Sequence, residues 1–556
     1  MKMMKNAVKI TFGLVFLGSA VFAQNLNDAK KAIDAEQYQK AKTILKGLTA
    51  SQPTNAENYF YLGNTYLAND YVDSAKTVYN KGIAADAKEP LNYVGLGTVE
   101  LQNNNASGAK TNFDKAVDLM GRKDYKSFLY IGRAYIDAPT PDYAQAVSYL
   151  EKARERNTKD ADIFLALGDA YRGQSKNSEA YSAYRTASEL NKNLLRASVE
   201  LGVINKNAKA FPEAEAEFRK VLAVDPNYGP AYRELAETYI RWGTDETKER
   251  DAKYQQALDF YRKYMDLTDR SIESRMRYAD LLVYTKKPKE LEQEAQAMAK
   301  LDKANPRIYR YLGYAAYENK NYPASLQAMK DFFAKVDKKR IIDQDYLYLG
   351  LAQLKNDSTE AGFKNIEKAI ELDSTNAEAM SSVAKELFDA KKWTEAQRAY
   401  ELAVNSKGAS ATLYDRLFMG LSYYFDYAIR NQKNENPDIS MLTKADSALS
   451  FVIEKSPTSP DAYIYRARVK RFTDDQENPK GLMVPDYEKY IQLITEKGGE
   501  MSASVKKNMI EAYSNLGAFY VKTDAAKAKE YFQKITELDP ANAYARDALK
   551  AIGGSK

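Results

Sequence analysis

The side chains available for chemistry are defined first by two absences. Among 556 residues there is no histidine and no cysteine, so proton transfer and ionic contact fall to 76 carboxylates, 82 lysines and arginines, and 43 tyrosines. The missing cysteine excludes disulfides, thiolate nucleophiles and iron–sulfur ligation. The missing histidine excludes a Ser-His-Asp triad, an HExxH zinc site and imidazole acid–base work. Carboxylates could still act as acid and base, as in glycoside hydrolysis, but that chemistry needs two of them facing across a cleft. Asp474-Asp475 and the Glu213, Glu215, Glu217 series read more simply as a solvated loop and a helix surface. There is no GxGxxG, no P-loop and no EF-hand loop, so no cofactor and no metal is expected.

The charge balance points away from nucleic acid. The formal net charge is +6, and three of the cations, Lys2, Lys5 and Lys9, lie in an N-terminal segment expected to be removed. What remains is near neutral and offers no electrostatic footprint for a phosphate backbone. Lys338-Lys339-Arg340 is the densest basic cluster beyond that segment, and it reads as a cationic helix end facing the macrodipole.

The elements that position these groups are helical. Glycine and proline number 26 and 16, well under the ~12% usual for the pair. One pattern recurs along the chain: an aromatic, Leu-Gly, a tyrosine, then alanine and another aromatic. It is plainest at Tyr59, Leu62, Gly63, Tyr66, Ala75 and Tyr79, and returns at Phe164, Leu167, Gly168, Tyr171, Ala180 and Tyr184. Further copies begin at Tyr309-Arg310-Tyr311-Leu312-Gly313 and at Tyr513, Leu516 and Gly517. Pro53, Pro226, Pro457 and Pro540 punctuate unit ends, where proline cannot continue a helix.

This pattern resembles the tetratricopeptide (TPR) repeat over nearly the whole chain. The small residue of each second helix is placed at Ala41, Ala75, Ala109, Ala146, Ala180, Ala214, Ala257, Leu291, Ser325, Gly362, Ala396, Ala445, Asp486 and Ala528. Seven of the thirteen successive spacings equal 34 residues, the TPR period. Leu291 and Asp486 are the two positions where the motif residue is replaced. The resemblance implies an all-α protein, a right-handed α-solenoid of about 14 stacked helical hairpins with a concave face lined by first helices. Most tyrosines then fill the repeat's own core positions, with Tyr314, Tyr317 and Tyr424 at groove-facing offsets.

The best-known TPR peptide site grips a terminal carboxylate with Lys and Asn from adjacent first helices. Counting from each Leu-Gly gives pairs such as Phe60/Asn64, Leu129/Arg133, Leu165/Asp169, Arg233/Glu237 and Arg310/Tyr314, and no unit offers Lys with Asn. The groove candidates are therefore Asn64, Arg133, Asp169, Arg196, Arg233, Glu237, Arg307, Arg310, Tyr314 and Tyr317. They form either a surface for an acidic or extended peptide, or a solvated face whose charges pair with one another.

Three interruptions break the period: Arg241 to Tyr254, about Phe425 to Leu442, and Thr473 to Asp486. The expected organisation is a leader at 1–23, an N-terminal array at 24–268, a central array at 269–410, an irregular C-terminal array at 411–552, and a tail at 553–556. Ala541 to Ile552 reads as the capping helix that a solenoid needs. Asp-Ser-Ala at Asp73 and Asp446, and Asp-Ser-Thr at Asp357 and Asp373, resemble a bacterial O-glycosylation acceptor, although Asp-Ser before a helix is ordinarily a cap.

The leader reads as a secretory signal peptide. Its lysines are followed by a mostly apolar run from Ile10 to Phe22 and by Val21-Phe22-Ala23, with cleavage expected after Ala23. That run falls short of the ~20 residues of a spanning helix. With no cysteine, lipoprotein attachment cannot occur, and the mature chain is expected in the periplasm or secreted, without a transmembrane anchor. The sequence thus favours a non-catalytic protein-interaction scaffold of the cell envelope. A glycan or peptidoglycan binder is the alternative, and a carboxylate-dependent hydrolase is less favoured.

Overall fold

The computed structural model describes residues 25–406 and 412–554. The expected signal peptide, residues 1–23, lies outside the described residues. The described elements are 29 α-helices and three short 3-10 turns, with no strand among them. They pair into fourteen antiparallel hairpins followed by one last helix.

Hairpins 1 to 4 are Leu26–Asp34 with Tyr38–Ser51, Ala56–Leu67 with Val72–Ala85, Leu91–Gln102 with Ala106–Leu119, and Lys126–Ile136 with Tyr143–Arg156. Hairpins 5 to 8 are Ala161–Gly173 with Asn177–Leu190, Leu195–Asn207 with Phe211–Val224, Gly229–Asp245 with Arg250–Leu267, and Ile272–Tyr284 with Pro288–Leu301. A first compact unit ends here, the division falling between Lys303 and Ala304. The second unit begins with hairpins 9 to 11: Pro306–Glu318 with Tyr322–Lys335, Asp343–Leu354 with Thr359–Leu372, and Glu378–Asp389 with Trp393–Asn405. Hairpins 12 to 14 are Leu413–Gln432 with Ser440–Lys455, Pro460–Thr473 with Val484–Lys497, and Ala503–Tyr520 with Ala525–Leu538, and the chain closes on Ala543–Gly554.

Ten hairpins place a residue in the left-handed conformation just beyond their first helix. Glu36, Asp70, Asn104, Ser175, Lys209, Lys286, Lys320, Asp357, Lys391 and Asn434 have φ between 54° and 64°. In hairpin 1 the Glu36 amide donates to the Ile33 carbonyl (3.0 Å) and the Gln37 amide to the Ala32 carbonyl (2.8 Å). Such wrapping satisfies the helix's last carbonyls while reversing the chain.

Packing inside a hairpin depends on small residues meeting large ones. A Cβ on Gly168 would lie 2.4 Å from the Tyr184 ring, and one on Gly63 would lie 2.1 Å from the Tyr79 ring. All fourteen register positions fall on second helices and are buried. Leu291 takes its place as ordinary core. Asp486 is 1% exposed, and its charge is met by Arg466 at 2.9 Å and Lys470 at 3.1 Å.

The interruptions each have a form. Arg241 to Tyr254 lengthens hairpin 7, whose helices run 17 and 18 residues. The first helix of hairpin 12 runs 20 residues before turning through Asn434 and Asn436. The third is a loop gathered onto Asp474, whose carboxylate accepts from the amides of Asp475, Lys480, Gly481 and Leu482 at 2.8–3.0 Å. Burial opposes ionisation there, but the four donors prevail and hold this carboxyl below its usual value. Asp474 is thus committed to its own loop. Lys338–Arg340 forms a 3-10 turn beyond the ninth hairpin instead of an α-helix end, because Asp337 caps it by accepting the Lys339 amide at 3.0 Å.

Candidate functional site

The candidate residues of the first unit lie on first helices, and from Arg133 onward the side chains of one hairpin reach those of the next. Arg133 of hairpin 4 donates to Asp162 of hairpin 5 at 2.7 Å. Asp169 accepts from the Tyr184 hydroxyl (2.8 Å) and from Arg196 of hairpin 6 (2.8 Å). Arg172 reaches Glu200 on that same helix. Lys206 then meets Glu234 of hairpin 7 at 2.5 Å, and Glu237 meets Arg277 of hairpin 8 at 2.5 Å. Burial alone would raise the Glu234 carboxyl, yet Lys206 and Arg233 hold it below its ordinary value. The Glu200 carboxyl is raised, because burial there outweighs Arg172 and Arg196.

Arg233 leaves this succession and reaches back to the first hairpin. Its guanidinium pairs with Glu36, the left-handed turn residue of hairpin 1. Glu36 also accepts from the Tyr264 hydroxyl at 2.8 Å, and Asp34 accepts from the Tyr228 hydroxyl at 2.9 Å. The Gln39 amide donates to Asp269 at 2.7 Å. These four contacts clasp the tip of hairpin 1 to the two ends of hairpin 7. Burial first, then the Glu36 charge, pushes the Tyr264 phenol up to about 12. Burial raises the Asp34 carboxyl despite its tyrosine donor.

In the second unit Arg310 grips Asp345 with two bonds, 2.7 and 2.6 Å, and donates to the Arg340 carbonyl at 2.9 Å. Tyr314 donates to the same carboxylate at 2.8 Å and stacks on Tyr348 with centroids 4.1 Å apart. Asp345 is fully buried and also accepts the Ile342 amide at 2.9 Å, capping its own helix. Arg307 reaches the Tyr311 hydroxyl at 2.8 Å.

Several expectations are corrected by this geometry. Tyr314 is no groove ligand: it is 3% exposed, and its hydroxyl is consumed by Asp345. Asn64 accepts the Tyr79 hydroxyl at 2.7 Å and so fixes the ring that packs on Gly63. Tyr317 is half-buried, between the Tyr322 ring at 5.4 Å and the Tyr348 ring at 5.6 Å. Asp169 with Arg196, and Arg310 with Tyr314, are brought together; Arg133 and Arg233 find partners outside the candidate set. Asp162 and Asp345 lie one hairpin further along, where the repeat spacing could have indicated them. Asp34 and Glu36 are turn residues whose partners are set by how hairpins 1 and 7 approach, which no local spacing encodes.

Tyr424 belongs to a different surface. Phe388, Trp393, Phe418, Tyr424, Phe425, Tyr465 and Phe472 form a continuous row of half-buried rings over hairpins 11 to 13. Phe388 meets Phe418 at 4.8 Å and Trp393 at 5.0 Å; Trp393 stacks on Phe425 at 5.1 Å; Phe425 meets Tyr465 at 5.6 Å. Tyr424 touches Tyr465 at 5.6 Å and Phe472 at 6.4 Å. Arg468 covers the Tyr465 ring at 4.6 Å. Among the described residues there is no cluster of three or more acidic side chains placed to hold a metal ion, and no helix long and apolar enough to cross a membrane.

Comparison with known proteins falls on the repeat. Residues 32–98, 165–231 and 510–542 each match the tetratricopeptide repeat. Superkiller complex protein 3 of Mus musculus is 27% identical over 101 residues, and tetratricopeptide repeat protein 37 of Xenopus laevis is 26% identical over 98. Each match takes in 18% of this chain and only 6% of the relative's length. Among solved structures, the C-terminal part of a TPR repeat-containing protein from Cytophaga hutchinsonii is 23% identical, covering 49% of this chain and 99% of its own, with a TM-score of 0.36. Yeast Tom70 is 16% identical, covering 85% of this chain and 98% of its own, with a TM-score of 0.27.

Proposed function

We propose that this chain, built from tetratricopeptide repeats, is an exported, non-catalytic scaffold of the cell envelope that binds peptide or protein segments along its first helices. The repeat supports protein–protein interaction as the general role. The observation that carries the finer reading is the succession of ion pairs that joins the first helices of hairpins 4 to 8, Arg133–Asp162, Asp169–Arg196, Arg172–Glu200, Lys206–Glu234 and Glu237–Arg277. A surface composed hairpin by hairpin suits an extended chain better than a small molecule. The ion pairs within it keep that surface in one shape before a partner arrives, which lowers the ordering cost of binding. Export rests on the leader sequence, Lys2 to Ala23.

Crosslinking the full chain in its own cells, followed by fractionation and mass spectrometry, tests both parts. The expected result is a mature N-terminus at Gln24 in the periplasmic or secreted fraction, joined to specific proteins. An intact leader in the cytosolic fraction would overturn export, and the absence of any protein partner would overturn the scaffold.

A further inference from the structure

We propose that the row of rings from Phe388 to Phe472, ending at Arg471, is a docking strip for a partner peptide that carries apolar side chains beside a carboxylate. This rests on the scaffold reading and narrows it to one surface and one partner chemistry.

The first argument is burial. Phe363 and Tyr400, which neighbour the row, are fully buried. The seven rings of the row are close enough to touch in sequence, yet each keeps part of its surface in water. A contiguous, partly exposed aromatic surface is costly to hydrate and is characteristic of a contact site. The charged run of the first unit differs, because its arginines and carboxylates are already matched to one another.

The second argument is charge. Arg468 takes both oxygens of Glu511, at 2.9 and 2.8 Å, and the Tyr487 hydroxyl adds a third bond at 3.1 Å. Arg471, one helical turn on, is exposed; its guanidinium donates to the Asn515 side chain at 3.2 Å and lies over the Phe472 ring at 5.8 Å. No carboxylate lies within ion-pair distance of Arg471 among the described residues, and Glu511 is paired with Arg468. That end of the strip therefore presents a guanidinium, that of Arg471, with no ion pair of its own among the described residues. Both arginines act electrostatically on Tyr424, whose hydroxyl makes no hydrogen bond among the described residues and is free to donate. At the other end Lys385 covers the Phe418 ring but is already paired with Asp389 at 2.5 Å. The strip thus has a direction: apolar side chains lie over Phe388, Trp393 and Phe425, and the carboxylate meets Arg471 and Tyr424. A guanidinium–carboxylate contact beside a dry aromatic surface is the kind that fixes register.

The test uses the full mature chain with Trp242→Phe, which leaves Trp393 as the one remaining indole of two. The probes are a bead library of heptapeptides randomised over Phe, Leu, Ser and Asp, a matched library with Asn for Asp, and a soluble disaccharide–peptide fragment of peptidoglycan. Binding is read by anisotropy of labelled peptides and by Trp393 emission, with circular dichroism to confirm the fold of each variant. Selected Asp peptides should shift the Trp393 emission and bind about tenfold or more tightly than their Asn counterparts, the size of one charge-assisted bond. Arg471→Gln, a surface change, should abolish that preference and keep the residual apolar binding; Phe425→Ala should weaken both libraries alike. Peptides that bind without moving Trp393, or without sensing Arg471→Gln, would overturn the strip and leave the scaffold standing. Silence from both libraries, or a Trp393 response to the peptidoglycan fragment alone, would also overturn it.

Discussion

Tyr264 donates its hydroxyl to the carboxylate of Glu36 across 2.8 Å, although the two residues stand 228 positions apart. Arg233 holds the same carboxylate, so a turn residue of the first hairpin is fixed by both helices of the seventh. The contact turns what would be a loose end into part of the body of the first unit.

Glu36→Gln should remove the ionic part of that contact and leave Arg233 with only Glu234. A loss of about 1–3 kcal/mol is expected for a half-buried charged partner left unmatched. Denaturant unfolding of Glu36→Gln, Arg233→Met and the double variant checks this as a cycle, with coupling of at least about 0.5 kcal/mol expected. Faster amide exchange at Asp34 to Gln37 should accompany each single change.

Asp345 serves Arg310, Tyr314 and the Ile342 amide at once, from a fully buried position. Asp345→Ala would strand a guanidinium and a phenol together. Removing one member of a buried pair costs about 3–5 kcal/mol, so the second unit should melt well below the wild type in calorimetry, with the first unit little changed.

Acid should weaken the second unit through Glu511. Burial would raise this carboxyl, but Arg468 and Tyr487 overcome it and hold it below the ordinary 4.5. A folded value below the unfolded one contributes stability in full above the unfolded value, and that stability is lost as pH falls through the folded value. Glu511→Gln should lower stability at neutral pH and flatten its decline below about pH 4.5, measured by urea unfolding across an acidic series.

Gly168→Val places methyl groups where the Tyr184 ring lies 2.4 Å from the position of a Cβ. The ring is fully buried and its hydroxyl is tied to Asp169, so it has little room to retreat. A loss of about 1–3 kcal/mol is expected for such overpacking, seen as a lower thermal midpoint. An unchanged midpoint would contradict the register of hairpin 5.

The repeat itself was legible because Gly63, Gly168 and the second-helix alanines recur with the period at which hairpins must touch. Local sequence also announced the interruption in hairpin 7, where the charged run from Thr244 to Arg250 ends the first helix, forms a 3-10 turn and opens the second. The roles of the groove candidates were less legible. Counting offsets places Tyr314 on a first helix, but its burial depends on Asp345, whose position follows from the next hairpin's cap. Asp486 looked like a broken motif, and only Arg466 and Lys470 from the facing helix explain its place in the core. Partners one hairpin away follow the period; partners six hairpins away, such as Glu36 and Arg233, follow from the pitch of the stack, which no single repeat encodes.

A stack in which each hairpin touches only its neighbours behaves as a zipper, opening from whichever end is weakest. The clasp between hairpins 1 and 7 changes that topology into a loop. The terminal hairpin then cannot fray alone, since leaving its neighbour still leaves it bonded to the far side. Unfolding of the hairpins between must begin from inside the loop or by first undoing the clasp. Hairpins 1 to 7 are therefore expected to lose their structure as one cooperative block, with a single sharp transition where an open array of the same hairpins would melt by stages.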